Sequence, residues 1–390
     1  MTEVVIVSAV RTPIGKLGGS LASLNAVALG TIASQAAIEQ AGIDPARIQQ
    51  AIFGNVLQAN SGQNVARQIG LKSGLAQSST AMTINEVCGS GLKAVRLGQS
   101  AILLGEADAV LVGGTESMSQ TPFYAPNMRF GHLYGDTTFV DGVAKDGLTD
   151  SFNHQPMGIT GENVAERFNV TREQQDDFAL ASHQKAAAAQ AAHAFDAEIV
   201  PVTIKTKRGE QVVATDEAVR PDTSLEKLAK LRPAFMADGT VTAGNASGIN
   251  DGAAALVLMN KAVADREGIH YLAVIDDYFE IGIDPDIMGY APKLAVEGLV
   301  AKTGTALDQI DQFEINEAFA SQSVAVQRDL NIPAAKLNRQ GGAIALGHPL
   351  GASGARLLTT LVHQLNGDQR GIASLCVGGG IGVAMQVHHA

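Results

Sequence analysis

Gly42, Ile48, Gln50 and Phe53 recur 262 residues later as Gly304, Ile310, Gln312 and Ile315, and Gly89 recurs as Gly351. A further run, Ala109-Val110-Leu111-Val112-Gly113-Gly114, resembles Ser374-Leu375-Cys376-Val377-Gly378-Gly379 at an offset of 265. Each match is weak alone, but their shared order predicts two copies of one unit. A duplicated fold commonly builds its site where corresponding loops of the halves meet. Here those loops carry Cys88 and His348, with Cys376 on the strand that follows.

The repeated unit reads as α/β, because short β-branched runs alternate with Ala-rich stretches of helical period. Residues 4–10 open as a strand. Residues 25–41 read as a helix, with Gly42 where a C-cap glycine belongs. Strands are expected at 52–56, at 81–87 and at 109–112, the last ending on Gly113-Gly114, with a helix between about 89 and 104. Residues 119–248 have a different texture: polar loops, one long helix over 171–192, and a charged segment near 205–210. They read as an inserted loop, or lid, domain. The expected division is 1–118 plus 249–270 for the first half, 119–248 for the insert, and 271–390 for the second half.

The 390 residues, 46% hydrophobic and 17% charged, hold enough apolar material for such a core and exclude a disordered chain. The balance of 28 basic against 39 acidic residues, with no basic cluster, argues against nucleic acid as a partner. No apolar run reaches membrane-spanning length, since the stretch 101–112 is broken by Glu106 and Asp108. The N-terminal residues lack a basic, cleavable leader. The expected setting is cytoplasmic, with no membrane partner. Two cysteines 288 residues apart make no disulfide framework, and no ligand spacing predicts a metal.

Four segments carry chemistry. Asn85-Glu86-Val87-Cys88-Gly89-Ser90-Gly91 puts a thiol between a strand end and a helix start, where the helix dipole favours a thiolate. A lone cysteine is more often a buried structural residue, and the strand–Cys–Gly–helix context shifts the balance toward a nucleophile. Gly347-His348-Pro349 fixes a histidine in a small-residue loop, as a positioned base requires. The run from Gly347 to Gly354 also loosely resembles a phosphate-binding loop. Cys376-Val377-Gly378-Gly379-Gly380 exposes backbone N–H groups suited to an oxyanion. Asn316, in Asn316-Glu317-Ala318-Phe319, follows a strand; it is either a turn residue or an amide that fixes a water beside a developing enolate.

Together these four segments resemble the thiolase family over essentially the whole chain. So do Val10-Arg11-Thr12-Pro13-Ile14-Gly15, Gly114-Thr115-Glu116-Ser117-Met118-Ser119 and the glycine-rich stretch from Thr242 to Ala253. The likeness is greatest to the biosynthetic acetyl-CoA acetyltransferase branch, which supplies mevalonate or lipid precursors. The resemblance implies a five-layered αβαβα core with the insert covering coenzyme A. It implies Cys88 as the nucleophile acylated by acetyl-CoA and His348 as its activating base. Cys376 would be the α-proton base, and Asn316 would hold a water. The N–H groups of Cys88 and Gly378 would form an oxyanion hole. Coenzyme A contacts would be Arg220, Ala243 and Ser247, and Leu148, Met157, Met288 and Phe319 would line the acyl end. Acetyl-CoA, acetoacetyl-CoA and coenzyme A would be substrates and products, with no permanently bound cofactor and no metal. The expected assembly is a homodimer or homotetramer. Pro156, Lys227 and Asn338-Arg339-Gln340 depart from the family's usual residues. Three other readings stay open: a degradative 3-ketoacyl-CoA thiolase, a silent acyl-CoA carrier on the same fold, and a dinucleotide-dependent oxidoreductase.

Overall fold

The computed structural model describes residues 2–207 and 209–390, so Arg208, in the charged segment near 205–210, lies outside the described residues. Its central feature is one large mixed sheet made of two similar half-sheets. In the first half, Gln50–Gly54 lies parallel to both Thr80–Ile84 and Ala109–Ser117. Asn250–Asn260 then runs antiparallel between Ala109–Ser117 and Val4–Arg11. The second half repeats this order: Gln312–Ile315 is parallel to Arg370–Val377, and Ile381–His389 runs antiparallel between Arg370–Val377 and Ala273–Gly282. Val5 and Ile6 pair with Val274 and Ala273 to join the halves.

Strand burial alternates between two cores, as a sheet covered on both faces requires. Val110 and Val112 face inward with Ile6 and Leu256, against Leu92, Val95 and Leu358 of two central helices, Ser90–Leu103 and Leu350–Gln364. Leu111, Val5 and Val257 face outward against Leu29, Ala33 and Ala37 of Ala26–Ala41. On the far side, Phe313, Ile315 and Ile372 pack against Val296 and Leu299 of Ala291–Thr303. The layers run helix, sheet, helix pair, sheet, helix, which is the expected five-layered α/β core.

The cap residues carry the repeat into local geometry. Asn25 accepts from the Ala28 N–H to start the first outer helix, and Gly42 ends it at φ 64°. Gly304 ends the equivalent helix at φ 70°. The three-residue slip at the glycine pairs is a misreading, however. Phe53 pairs with Gly113 and Ile315 with Ser374, which sets the offset there at 261. The strand also continues past Gly113-Gly114 to Ser117, buried throughout. Those two glycines lie inside a strand, where a side chain on Gly114 would overlap the Gly351 carbonyl. Their apparent counterparts around Gly379 form a turn instead. The strand expected to reach residue 87 likewise stops at Ile84.

Residues 119–248 contribute no strand to the main sheet among the described residues; they form two short antiparallel strand pairings of their own and single bridges from Ile199 to Arg11 and from Ala246 to Phe319. The long helix runs Arg172–Ala191, started by a capping box between Thr171 and Gln174. Val202–Thr206 pairs antiparallel with Gly209–Val213. Arg11, fully buried, ties this region to the first strand through Glu198 at 2.6 Å and Asp216 at 2.7 Å.

Candidate active site

The turn after Ile84 aims the nucleophile. Ser90 Oγ accepts from the Glu86 N–H at 2.8 Å and donates to the Val87 carbonyl at 2.6 Å. That clamp holds Val87 at φ 46°, a region β-branched residues avoid. Cys88 follows, 8% exposed, on the floor of a cavity of about 550 Å³. The N–H groups of Gly378 and of Cys88 itself face its sulfur. The helix starts only at Ser90, and burial outweighs both donors, pushing the thiol up to about 11. Burial thus works against the thiolate that the helix start was expected to favour.

His348 Nε2 lies 3.3 Å from the Cys88 sulfur. Its Nδ1 lies 2.6 Å from Ser353 Oγ, whose own hydrogen goes to the Pro349 carbonyl at 2.9 Å. Ser353 must then accept, so Nδ1 carries the ring proton and Nε2 presents a lone pair to the thiol. Burial, helped by the Arg356 guanidinium, pushes His348 down to about 3 and keeps the ring neutral. Asn250 Oδ1 holds the His348 N–H at 2.9 Å. Gly347, at φ 116°, lets the chain pass that close to Asn250.

Asn316 is fully buried beside this pair, with Nδ2 3.3 Å from His348 Nε2. Its Oδ1 has no hydrogen-bond partner among the described residues, which fits an amide that orients a water or a substrate oxygen. Cys376 is enclosed at 0% exposure, and burial pushes its thiol far up, as would charge on neighbouring Cys88. Gln322 Oε1 lies 4.0 Å from the Cys376 sulfur, and Gln322 Nε2 donates to the Asn316 carbonyl at 3.0 Å.

The structure gathers most of the expected residues in one place. Cys88, His348 and Gly378 line the cavity together with Arg220, Ala243, Ser247, Leu148, Met157, Met288 and Phe319. Asn316 and Cys376 lie buried beside it instead of on its wall. Of the departing positions, Pro156 lines the cavity, Lys227 bonds to Asp222, and Asn338 braces Ile315 and Glu317. Ser353, Asn250, Gln322 and Glu116 were not singled out in the sequence, although Asn250 and Glu116 lie inside the stretches that carried the resemblance. The phosphate-loop reading of 347–354 fails, because the Gly351 N–H is already taken by Glu116 at 2.8 Å. Among the described residues no group of three or more His, Cys, Asp or Glu is placed to hold a metal, and no helix is long and apolar enough to cross a membrane.

Comparison with known proteins agrees over the full length. A probable acetyl-CoA acyltransferase of Staphylococcus aureus strain COL is 52% identical over 389 residues, 99% of each chain. The crystal structure of the Bacillus anthracis acetyl-CoA acetyltransferase superposes with a TM-score of 0.97 at 42% identity, covering 100% of this chain and 99% of that one. Human mitochondrial 3-ketoacyl-CoA thiolase gives the same TM-score, 0.97, at 43% identity and the same coverage. Family models for the thiolase N-terminal domain and the thiolase C-terminal domain match residues 4–262 and 269–389. The chain belongs to the thiolase family of acyltransferases.

Proposed function

We propose that the protein is an acetyl-CoA C-acetyltransferase, which condenses two acetyl-CoA into acetoacetyl-CoA and free coenzyme A, reversibly and by a ping-pong route. The observation that carries this reading is the Cys88–His348–Ser353 chain, whose hydrogen bonds fix the tautomer a general base needs. Cys88 sulfur attacks the thioester carbon as its proton passes to His348 Nε2. The oxyanion forms against the N–H groups of Cys88 and Gly378. Coenzyme A leaves with the proton of Cys376, so acetyl-Cys88 stands beside a Cys376 thiolate and a His348 imidazolium. Cys376 then takes a methyl proton from the second acetyl-CoA, and the imidazolium with Asn316 stabilises the enolate. The enolate carbon attacks the acetyl group, and Cys88 recovers its proton from His348. Arg220, Ala243 and Ser247 are the proposed coenzyme A contacts.

Acyl length separates this reading from a degradative 3-ketoacyl-CoA thiolase, which the equal likeness to the human enzyme keeps in view. Met288 and Phe319 are 3% and 8% exposed and cluster with Val241, Ala318 and Met157, a wall that would close the acyl end. Phe319 is held edge-on by Phe235 at 6.5 Å and backed by Gly161. An open channel would favour a longer chain by about 0.8 kcal/mol per methylene. A packed wall reverses this, at roughly 1–3 kcal/mol or more. Thiolysis of acetoacetyl-CoA is thus expected to show the higher kcat/KM. A higher value for 3-ketooctanoyl-CoA would assign the degradative role.

A further inference from the structure

The duplicated fold contains two equivalent helix starts, and their occupants differ. A Cβ on Gly89 would meet Val377 Cγ2 at 2.9 Å, and a Cβ on its counterpart Gly351 would meet Glu116 Oε2 at 2.9 Å. Val377 and Glu116 are themselves equivalent by strand register. At the first start the residues around Val377, Cys376 and Gly378, close on Cys88. At the second start a side-chain carboxylate sits on the helix itself.

That carboxylate is fully buried. It accepts from Gly351 N–H at 2.8 Å, Val56 N–H at 3.1 Å, Leu57 N–H at 3.1 Å and Asn55 Nδ2 at 2.8 Å. All four partners are donors, and no Lys or Arg is bonded to it among the described residues. An acceptor-only group is what these partners select, and a helix start favours negative charge. Burial pushes the carboxyl up to about 7 against the donors of Gly351, Leu57 and Val56, so it is ionised at pH 8. The helix it grips is the one that begins two residues after His348 and carries Ser353. The loop it grips, 55–57, belongs to the other half of the molecule.

We propose that Glu116 is a positioning residue for acyl transfer, whose carboxylate clamps the helix behind His348 to the nucleophile's half and so sets the Cys88–His348 distance. This rests on the reading of His348 as the base for Cys88. Loss of the clamp lets the imidazole drift from the sulfur while the coenzyme A contacts, on other segments, stay in place.

The test compares Glu116→Gln with Glu116→Asp at pH 8, measuring the single-turnover rate of acetyl-Cys88 formation by intact mass and the Kd for coenzyme A by calorimetry. Gln keeps size and loses two acceptor sites; Asp keeps the charge and loses a methylene. The expected result is a ~100-fold slower acetylation for Gln, less than ~10-fold for Asp, and Kd within twofold for both. A Gln variant as fast as Asp, or a Kd that weakens in step with the rate, overturns the proposal. Should Glu116→Gln fail to fold, Asn55→Ala removes one donor and should slow acetylation several-fold at constant Kd; an unchanged rate there overturns it equally. If the wild type forms no acetyl adduct at all, it is the base assignment that has failed.

Discussion

Cys88 and Cys376 share a residue type but not an environment. Cys88 lines the cavity and touches His348, whereas Cys376 is enclosed beside Gln322. Cys88→Ala is expected to abolish both the acetyl adduct and turnover. Cys376→Ala should still take up one acetyl group, more slowly because it lacks the proton for the leaving thiol, and should fail to condense. Near-normal condensation by that variant would reverse the assignment. Alkylation reports the same contrast. Iodoacetamide should label Cys88 first, because Cys376 has no exposed surface. With the Cys88 thiol pushed up to about 11, only its small thiolate fraction reacts. That fraction grows tenfold per pH unit below the pKa, so the labelling rate should rise without a plateau from pH 7 to about 10. A plateau near pH 8 would mean a preformed thiolate. The sequence made the two sulfurs and the histidine visible through their glycine-rich surroundings, but it could not weigh a helix dipole against burial. Burial depends on Leu350, Met118 and other residues distant in the chain, and it decides the protonation state.

Elements near the site were legible where a local signal ended them, as with Asn25 and Gly42. They were misjudged where a distant neighbour supplied the reason. Gly113-Gly114 looks like punctuation, yet the helix start at Gly351 leaves no room for a side chain on Gly114, and the Ala254 carbonyl leaves none on Gly113. The same close approach joins the central helices. A Cβ on Gly91 would lie 2.6 Å from the Ala355 nitrogen, and one on Gly354 would overlap the Leu92 nitrogen. Neither contact partner is a flexible side-chain end that can swing aside. Gly354→Ala, despite its better helix propensity, is therefore expected to destabilise by about 1–3 kcal/mol. The urea midpoint should fall at unchanged m-value. A raised midpoint would show that the helix pair has slack. Ser353 belongs to this scale too: it lies on the first turn of the helix that begins after His348, and it holds the ring only because Pro349 directs its hydroxyl hydrogen. Ser353→Ala should cut the acetylation rate ~10-fold or more by freeing the tautomer, at unchanged coenzyme A affinity.

At the scale of the molecule, the repeat foretold the paired half-sheets, since equal cap glycines and equal strand starts imply equal folds. It could not foretell what covers residues 119–140, which have no counterpart in the second half. Within that stretch Phe130, Leu133 and Tyr134 are 89%, 102% and 98% exposed, and Phe123 and Phe139 are both 63% exposed. Isolated apolar residues on a surface need no explanation, but five so exposed within seventeen positions are more apolar surface than one segment of a monomer usually leaves open. Burying each one fully would contribute about 1.5–3 kcal/mol. The sum, about 8–15 kcal/mol per chain, is of the same size as the roughly 4–15 kcal/mol that association costs. A second copy of the chain is the expected cover, giving a dimer or a dimer of dimers. Sedimentation at micromolar concentration should show one of these, and the combined change Phe130→Ser, Leu133→Ser and Tyr134→Ser should shift the protein to a smaller species. Because the cavity, Cys88 and His348 all lie within one chain, that smaller species should still form the acetyl adduct on Cys88. A strictly monomeric wild type would refute the assembly, and loss of the adduct on dissociation would show that the site depends on its neighbour.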